Sequence, residues 1–272
     1  MDDSTLLSIK EFANFTGVSQ SRLRYYDDIG ILLPALRGEN NYRYYTPSQI
    51  IALNFVSVLI DLGIPLSTIK DLLHNRTPGR VKELLRQQEE KLDRLLCDLR
   101  TAYSIIHTFS KNIETGLSAQ TNEICVLELA EEHYITGCDN DWSGGHDSWY
   151  QAFIDFCLSA DDNRINLRYP IGAIHQDMDA FLNAPGKPVR FFSQDPLGNR
   201  IRKAGSYLVG YHRGYYGVFG DLPERMAAYA RKHRLDLSGP VFTSYPLDEI
   251  SIIEHDKFVS QIVVKVSEEA PT

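Results

Sequence analysis

From Arg80 to Thr115 the chain carries neither proline nor glycine, and one apolar pattern runs the whole way through. Leu85, Leu92, Leu99, Ile106 and Ile113 recur every seven residues, and Gln88, Leu95, Ala102 and Phe109 fill the second seam position, with charges between. This is a heptad pattern, and it predicts a coiled-coil helix about 54 Å long at ~1.5 Å per residue. A stripe of that length cannot be buried inside a small domain, so it needs a partner helix. The same helix from a second copy is the expected partner, giving a homodimer through residues 80–115; lengthwise packing on the chain's own C-terminal part is the alternative. The rod divides the chain into residues 1–76, the helix at 77–117, and residues 118–272.

Charge separates these parts. The net charge is −8. Residues 1–76 carry 7 Lys/Arg against 8 Asp/Glu, residues 77–117 carry 7 against 6, and residues 118–272 carry 14 against 22. The acidity lies in the C-terminal part, which therefore disfavours anions and attracts cations. Any nucleic-acid contact in the N-terminal part must rest on a local patch. The four cysteines, Cys97, Cys125, Cys138 and Cys157, have no CxxC spacing and form no zinc or disulfide framework. No secretory signal and no membrane-length apolar run is visible, so a cytoplasmic location is expected, and no cofactor is implied.

The first part reads as short helices. Ser8 and Glu11 form a capping box before an apolar face of Ile9, Phe12 and Ala13, and Gly17 closes that helix. A second helix begins near Ser19, in the stretch SRLRYYDDIGILLP, and runs to about Ile29. Two short helices joined by a tight turn, the second bearing arginines, make a helix-turn-helix pattern. Gly38, Glu39, Asn40 and Asn41 form a turn between Leu36-Arg37 and Tyr42-Arg43-Tyr44-Tyr45, which reads as a β-hairpin wing. Thr46, Pro47 and Gln49 open an apolar helix that ends at Gly63, Pro65 opens another, and Thr77-Pro78 starts the rod. The whole reads as an all-α winged helix-turn-helix DNA-binding domain. Gly116 is taken as the end of the rod. Beyond it, strands are expected at 124–129, 169–174, 189–192, 206–211, 240–245 and 258–266. Helices are expected at 146–158 and 222–235. This is an α+β domain with a mainly antiparallel sheet and the order of a duplicated unit.

Arg24-Tyr25-Tyr26-Asp27, Gly30-Ile31-Leu32, Tyr42-Arg43-Tyr44-Tyr45 and Leu62-Gly63 with Leu66 stand in the order and spacing of a known winged-helix signature. Over residues 6–74 the chain resembles the MerR family of transcription regulators. The C-terminal part, above all SYLVGYHRGYYGVFGDLPERMAAYARKHRL, resembles the gyrase-inhibitor-like effector domain of the multidrug-sensing branch. The resemblance implies a dimeric, ligand-responsive regulator that is not an enzyme. It would bind an over-long promoter spacer and, when active, bend and undertwist it so that RNA polymerase meets its two elements in phase.

Within that frame the expected DNA contacts are Ser19, Gln20 and Ser21 at the start of the second helix, Arg22, Arg24, Tyr25 and Tyr26 along it, and Arg37, Tyr42, Arg43 and Tyr44 in the wing. Arg22 is assigned to the groove, one of Tyr25 and Tyr26 to a phosphate and the other to packing, and Arg37 and Arg43 to a clamp on the backbone. Asp27 suits a DNA surface poorly and is assigned to a pairing within the domain or a cap. Related sensors carry a lysine before the Leu-Gly pair, where this chain has Ile60-Asp61, so one backbone contact is expected to be missing.

The effector part holds 19 of the 29 aromatic residues. Aromatic faces attract flat or cationic ligands, so a lipophilic organic cation is the expected ligand. The expected walls are Tyr169, Phe191, Tyr207, Tyr211, Tyr215, Tyr216, Phe242, Thr243 and Phe258. The resemblance places a glutamate where this chain has Thr243; Asp177, Asp179, Glu128 and Glu249 are the candidates to replace its charge. Trp142 and Trp149 flank SGGHDS, either as a loop over the pocket mouth or as an ordinary helix start. Metal sensing is a rival, but the expected ligand stretch holds His74 and no cysteine. Catalysis through His175 with Asp177, or His212 near Tyr211, is another, but neither pair has a nucleophile beside it.

Overall fold

A computed structural model describes residues 6–39, 41–119, 123–140, 142 and 149–267. The chain divides into two compact units, Met1–Asp98 and Leu99–Thr272. Among the described residues no helix is long and apolar enough to cross a membrane.

The first unit contains β1 (Leu7–Ser8), α1 (Ile9–Thr16), α2 (Gln20–Asp28), β2 (Leu36–Arg37), β3 (Arg43–Tyr45), α3 (Ser48–Asp61), α4 (Leu66–His74) and the first part of α5 (Pro78–Ser118). The capping box forms as expected: Ser8 Oγ accepts the Glu11 N–H at 3.3 Å, and the Ser8 N–H donates to Glu11 Oε2 at 2.8 Å. The helices pack Phe12, Leu23, Tyr26, Leu53, Leu59 and Ile69 into one core, where Phe12 stacks on Tyr45 with ring centroids 4.5 Å apart. The unit is not all-α. β3 pairs with β2 to make the wing and with β1 to make a three-stranded sheet in the order β1-β3-β2. A two-residue strand carries no alternation, so β1 leaves no pattern in the sequence.

The second unit contains the rest of α5, then β4 (Ile124–Leu129), β5 (Glu132–Thr136), α6 (Trp149–Leu158), β6 (Ile171–His175), α7 (Met178–Asn183), β7 (Arg190–Ser193), β8 (Arg200–Arg202), β9 (Gly205–Arg213), α8 (Leu222–His233), β10 (Leu237–Leu247) and β11 (Val259–Val266). The strands form one antiparallel sheet in the order β4-β9-β11-β10-β6-β7-β5-β8. Strand alternation gives it two different faces. One face packs Leu208, Val241 and Ile262 against Phe181, Leu222 and Met226 of the helices, and Ala173 and Phe191 against Phe156 of α6. The other packs Tyr207, Val209, Phe242 and Val263 with Ile113 of α5. All six expected strands are present. β5, β8 and α7 were not expected: β8 is three residues long and α7 six, too short for a periodic signal.

Gly116 does not end the rod, which continues to Ser118. Gly116 is buried, and a Cβ there would collide with the Leu247 side chain. The glycine is a point of close approach between helix and sheet, which composition alone cannot distinguish from a stop. Gly116→Val is expected to lower the stability of this unit by about 1–3 kcal/mol through overpacking, measured by thermal or denaturant unfolding. An unchanged midpoint would show that the contact yields without cost.

Candidate functional site

Two sites emerge, one in each unit. In the first, Ser19 caps α2, its Oγ accepting the Arg22 N–H at 3.2 Å. That bond uses one lone pair of the hydroxyl and leaves its O–H on the exposed side of the helix start. Leu23 and Tyr26, three residues apart on one helix face, are both buried in the core. Tyr26 is therefore a packing residue, and its assignment to the DNA surface is corrected. Ser21, Arg22, Arg24 and Tyr25 are exposed, Gln20 partly so.

Asp27 explains the acidic pair that follows the tyrosines. Its side chain is 1% exposed and lies between both wing arginines. Arg37 Nη2 donates to Asp27 Oδ1 and Oδ2 at 2.8 and 2.6 Å, and Arg43 Nε donates to Oδ2 at 2.6 Å. The hydrogen bond to Asp27 holds the Arg43 guanidinium protonated more firmly than usual. The wing arginines are thus struts that fix the wing to α2. Arg43 is committed most fully, at 20% exposure, while Arg37 keeps 44% and also reaches Asn41 Oδ1 at 3.1 Å. Tyr42 is exposed and Tyr44 half-buried, so the outer strand face of the wing is aromatic.

In the second unit, aromatic rings enclose a cavity of about 420 Å³. Trp149 stacks on Tyr216 and on Phe153, centroids 5.3 Å away in each case and planes within 7° and 13°. Tyr245 meets Tyr216 edge-on at 4.5 Å. Tyr169 and Tyr215 line the sides, and Asp248 and Glu249 lie on the lining as well. Tyr216 Oη donates to Glu249 Oε2. Burial, reinforced by that carboxylate, raises the Tyr216 hydroxyl pKa well above the usual range. Burial also raises the Asp248 carboxyl above the usual range, opposed by the Ile250 N–H that its Oδ1 accepts at 3.0 Å. Gly217 makes the enclosure possible. Its φ is +71°, a Cβ there would stand 2.9 Å from Trp149 Cγ, and its N–H donates to Tyr245 Oη at 3.1 Å.

Of the expected wall residues, Tyr169, Tyr215 and Tyr216 line this cage directly. Phe191 backs it from behind, edge-on to Trp149 at 5.1 Å, and Phe258 does so 5.6 Å from Tyr216. Thr243 is fully buried, with its hydroxyl 3.4 Å from the Ala173 carbonyl and beside that of Tyr245. The position that the resemblance gives to a glutamate is therefore an uncharged pair of hydroxyls beside the cage. Tyr207, Tyr211 and Phe242 are corrected: alternation along β9 and β10 turns them to the opposite face of the sheet. Glu249 is the one proposed carboxylate that reaches the cage. Asp177 caps α7 by accepting the Ala180 N–H at 2.7 Å, Asp179 is in the first turn of that helix, and Glu128 accepts from Ser206 on β9. Trp149 belongs to the cage, whereas the Trp142 Nε1–H donates to the Pro188 carbonyl at 3.0 Å. The SGGHDS stretch at 143–148, with the expected helix start at His146, lies outside the described residues. Phe153, Tyr245 and Asp248 were missed. Tyr245 was legible, since it shares its strand face with Thr243.

Of the rival pairs, His175 and Asp177 are not arranged as an acid–base pair. Burial lowers His175 to a pKa of about 3, so it is neutral, while Asp177 is committed to its cap. Among the described residues no three His, Cys, Asp or Glu side chains gather as a metal site.

Comparison with known proteins agrees with the DNA-binding frame. Residues 7–76 match the family model of MerR HTH family regulatory proteins. The chain is 23% identical over 264 residues to the multidrug-efflux transporter 2 regulator of Bacillus subtilis, covering 95% of each. It is 32% identical over 100 residues to the HTH-type transcriptional regulator PA4778 of Pseudomonas aeruginosa, covering 35% of this chain and 76% of that protein. Among solved structures it is similar to EcmrR in its DNA complex, at 15% identity and a TM-score of 0.39, over 96% of this chain and 100% of that one. With the winged helix-turn-helix signature, the family match over residues 7–76 and the 32% identical regulator covered over 76% of its length, the chain belongs to the MerR family of transcription regulators.

Proposed function

We propose that this regulator is a homodimer that distorts promoter DNA to activate RNA polymerase when its C-terminal cage takes up a lipophilic aromatic cation. One observation carries the reading: a single chain combines an exposed, arginine-bearing α2 face with a separate aromatic cage edged by carboxylates. Its three parts are the DNA-binding domain at 1–76, the dimerisation helix at 77–117 and the effector domain at 118–272. Similarity to a multidrug-efflux transporter regulator over 95% of the chain supports a drug-like ligand. Stacked rings favour a flat cation through their quadrupoles, and Glu249 supplies the counter-charge. Occupancy must favour one DNA-bound state over another, since a ligand with equal affinity for both shifts nothing.

Ser21, Arg22, Arg24 and Tyr25 on α2, with Gln20 beside them and Tyr42 and Tyr44 on the wing, are the proposed DNA contacts. Arg22→Ala and Arg24→Ala are each expected to weaken promoter binding and, for a phosphate contact, to reduce the slope of log affinity against log salt by about 1. Filter binding across a salt series measures this. Unchanged affinity and slope in both variants would remove α2 from the interface.

The seam of α5 supports the dimer. Leu92, Leu95, Leu99 and Ile106 are exposed in the single chain, and every residue from 91 to 100 is exposed. Leu95→Glu with Leu99→Glu is expected to convert the dimer to monomers in sedimentation, because charges in a heptad seam remain buried and unpaired. A dimer of undiminished affinity would place the contact elsewhere.

A further inference from the structure

The face of the sheet opposite the cage carries a second cavity, of about 230 Å³, that the proposed regulation does not use. Its floor is one rung of the sheet. Ser244, Gln261 and Tyr211 are register partners on β10, β11 and β9, joined by Ser244 Oγ to Gln261 Oε1 at 3.4 Å and Gln261 Nε2 to Tyr211 Oη at 3.0 Å. Tyr134, Phe192 and Phe242 make an aromatic wall, meeting edge to face at 5.4, 5.6 and 5.9 Å. Lys111, on α5, lines the cavity as well.

The informative residue is Arg202. Its Nε and Nη2 donate to Glu132 at 3.2 and 2.8 Å, and its guanidinium lies 5.0 Å from the centre of the Tyr207 ring. Its Nη1 is buried and has no hydrogen-bond partner among the described residues. A buried charged donor without an acceptor is costly and rare, so the group that completes it brings an acceptor. Arg202 and Lys111 stand against Glu132, which leaves one positive charge on the lining. A flat body suits the aromatic wall, and a carboxylate suits the positive charge of the lining. We propose that this cavity is a second ligand site, taking a small planar aromatic carboxylate against the C-terminal end of α5.

The test titrates benzoate, its neutral counterpart benzamide, and N-methylquinolinium into the full-length protein by calorimetry. Benzoate is expected to bind, and benzamide to bind about tenfold or more weakly, as the loss of one charge-assisted hydrogen bond implies. Arg202→Gln is expected to weaken benzoate by a similar factor and to leave N-methylquinolinium unaffected. Because Arg202→Gln strands Glu132, Lys111→Gln at an exposed position is measured beside it and is expected to weaken benzoate severalfold. The proposal is overturned if millimolar benzoate does not bind, if benzamide binds equally, if neither substitution weakens benzoate, or if benzoate competes with N-methylquinolinium.

Discussion

Asp27→Ala is expected to abolish specific promoter binding although it replaces none of the proposed DNA-contact residues. The carboxylate is nearly inaccessible and accepts from both wing arginines, so its loss leaves the largely enclosed Arg43 with only the exposed Asp28, 3.7 Å away, as counter-charge and loosens the wing from α2. Removing one partner of a buried ion pair costs about 3–5 kcal/mol, and the water-accessible part of Arg37 places the effect near the lower end. For a unit of this size that is a fall of the thermal midpoint on the order of 10 °C. Asp27→Asn keeps an acceptor and is expected to lose less of both stability and affinity. Circular dichroism melting and a promoter gel shift, run on both variants, check this. Wild-type affinity in Asp27→Ala would mean that the wing arginines act on DNA directly and that the strut is incidental.

The second large effect falls on the cage. Trp149→Ala removes the ring that stacks on both Tyr216 and Phe153, and Glu249→Gln removes the carboxylate hydrogen-bonded to Tyr216. Trp149→Ala is expected to weaken cationic and neutral aromatic ligands alike, by about tenfold or more, because it removes stacking area. Glu249→Gln is expected to weaken the cation and spare the neutral ligand. Proton linkage gives a second signature. Burial raises the Asp248 carboxyl in the free protein, and a bound cation favours its ionised form. Cation affinity is therefore expected to rise with pH through the titration of Asp248, with protons released on binding. Calorimetry in two buffers of different ionisation enthalpy measures that release. A cation affinity that does not rise with pH anywhere across the carboxylate range would place the cation away from Asp248.

The DNA-binding unit was legible in the sequence because its signals are local. Ser8 with Glu11, Gly17 after α1, and the polar turn of the wing each fix a neighbour three or four residues away. What was misread there depended on partners further off: Arg37 and Arg43, read as a clamp on DNA, meet Asp27 ten and sixteen residues back along the chain, and Tyr26 is sent inward by its alignment with Leu23. The effector sheet was legible as strands but not as faces. Tyr207, Tyr211 and Phe242 have the composition of cage residues, yet alternation places them on the far side, and only the pairing of β9 with β11 and of β11 with β10 shows this. Gly116 gave the clearest ambiguity. A glycine after a long helix reads as a stop, and it is here a contact with Leu247 that lies 131 residues away in sequence.

The most direct test of the account follows the fluorescence of Trp149, in a Trp142→Phe background, during titration with N-methylquinolinium and with its isosteric neutral analogue 1-methylnaphthalene. The account predicts saturable quenching by the cation, about tenfold or more tighter than any response to the neutral analogue, with the preference lost in Glu249→Gln. Equal affinity for the two ligands, or no saturable response to either, would contradict a cation-sensing cage.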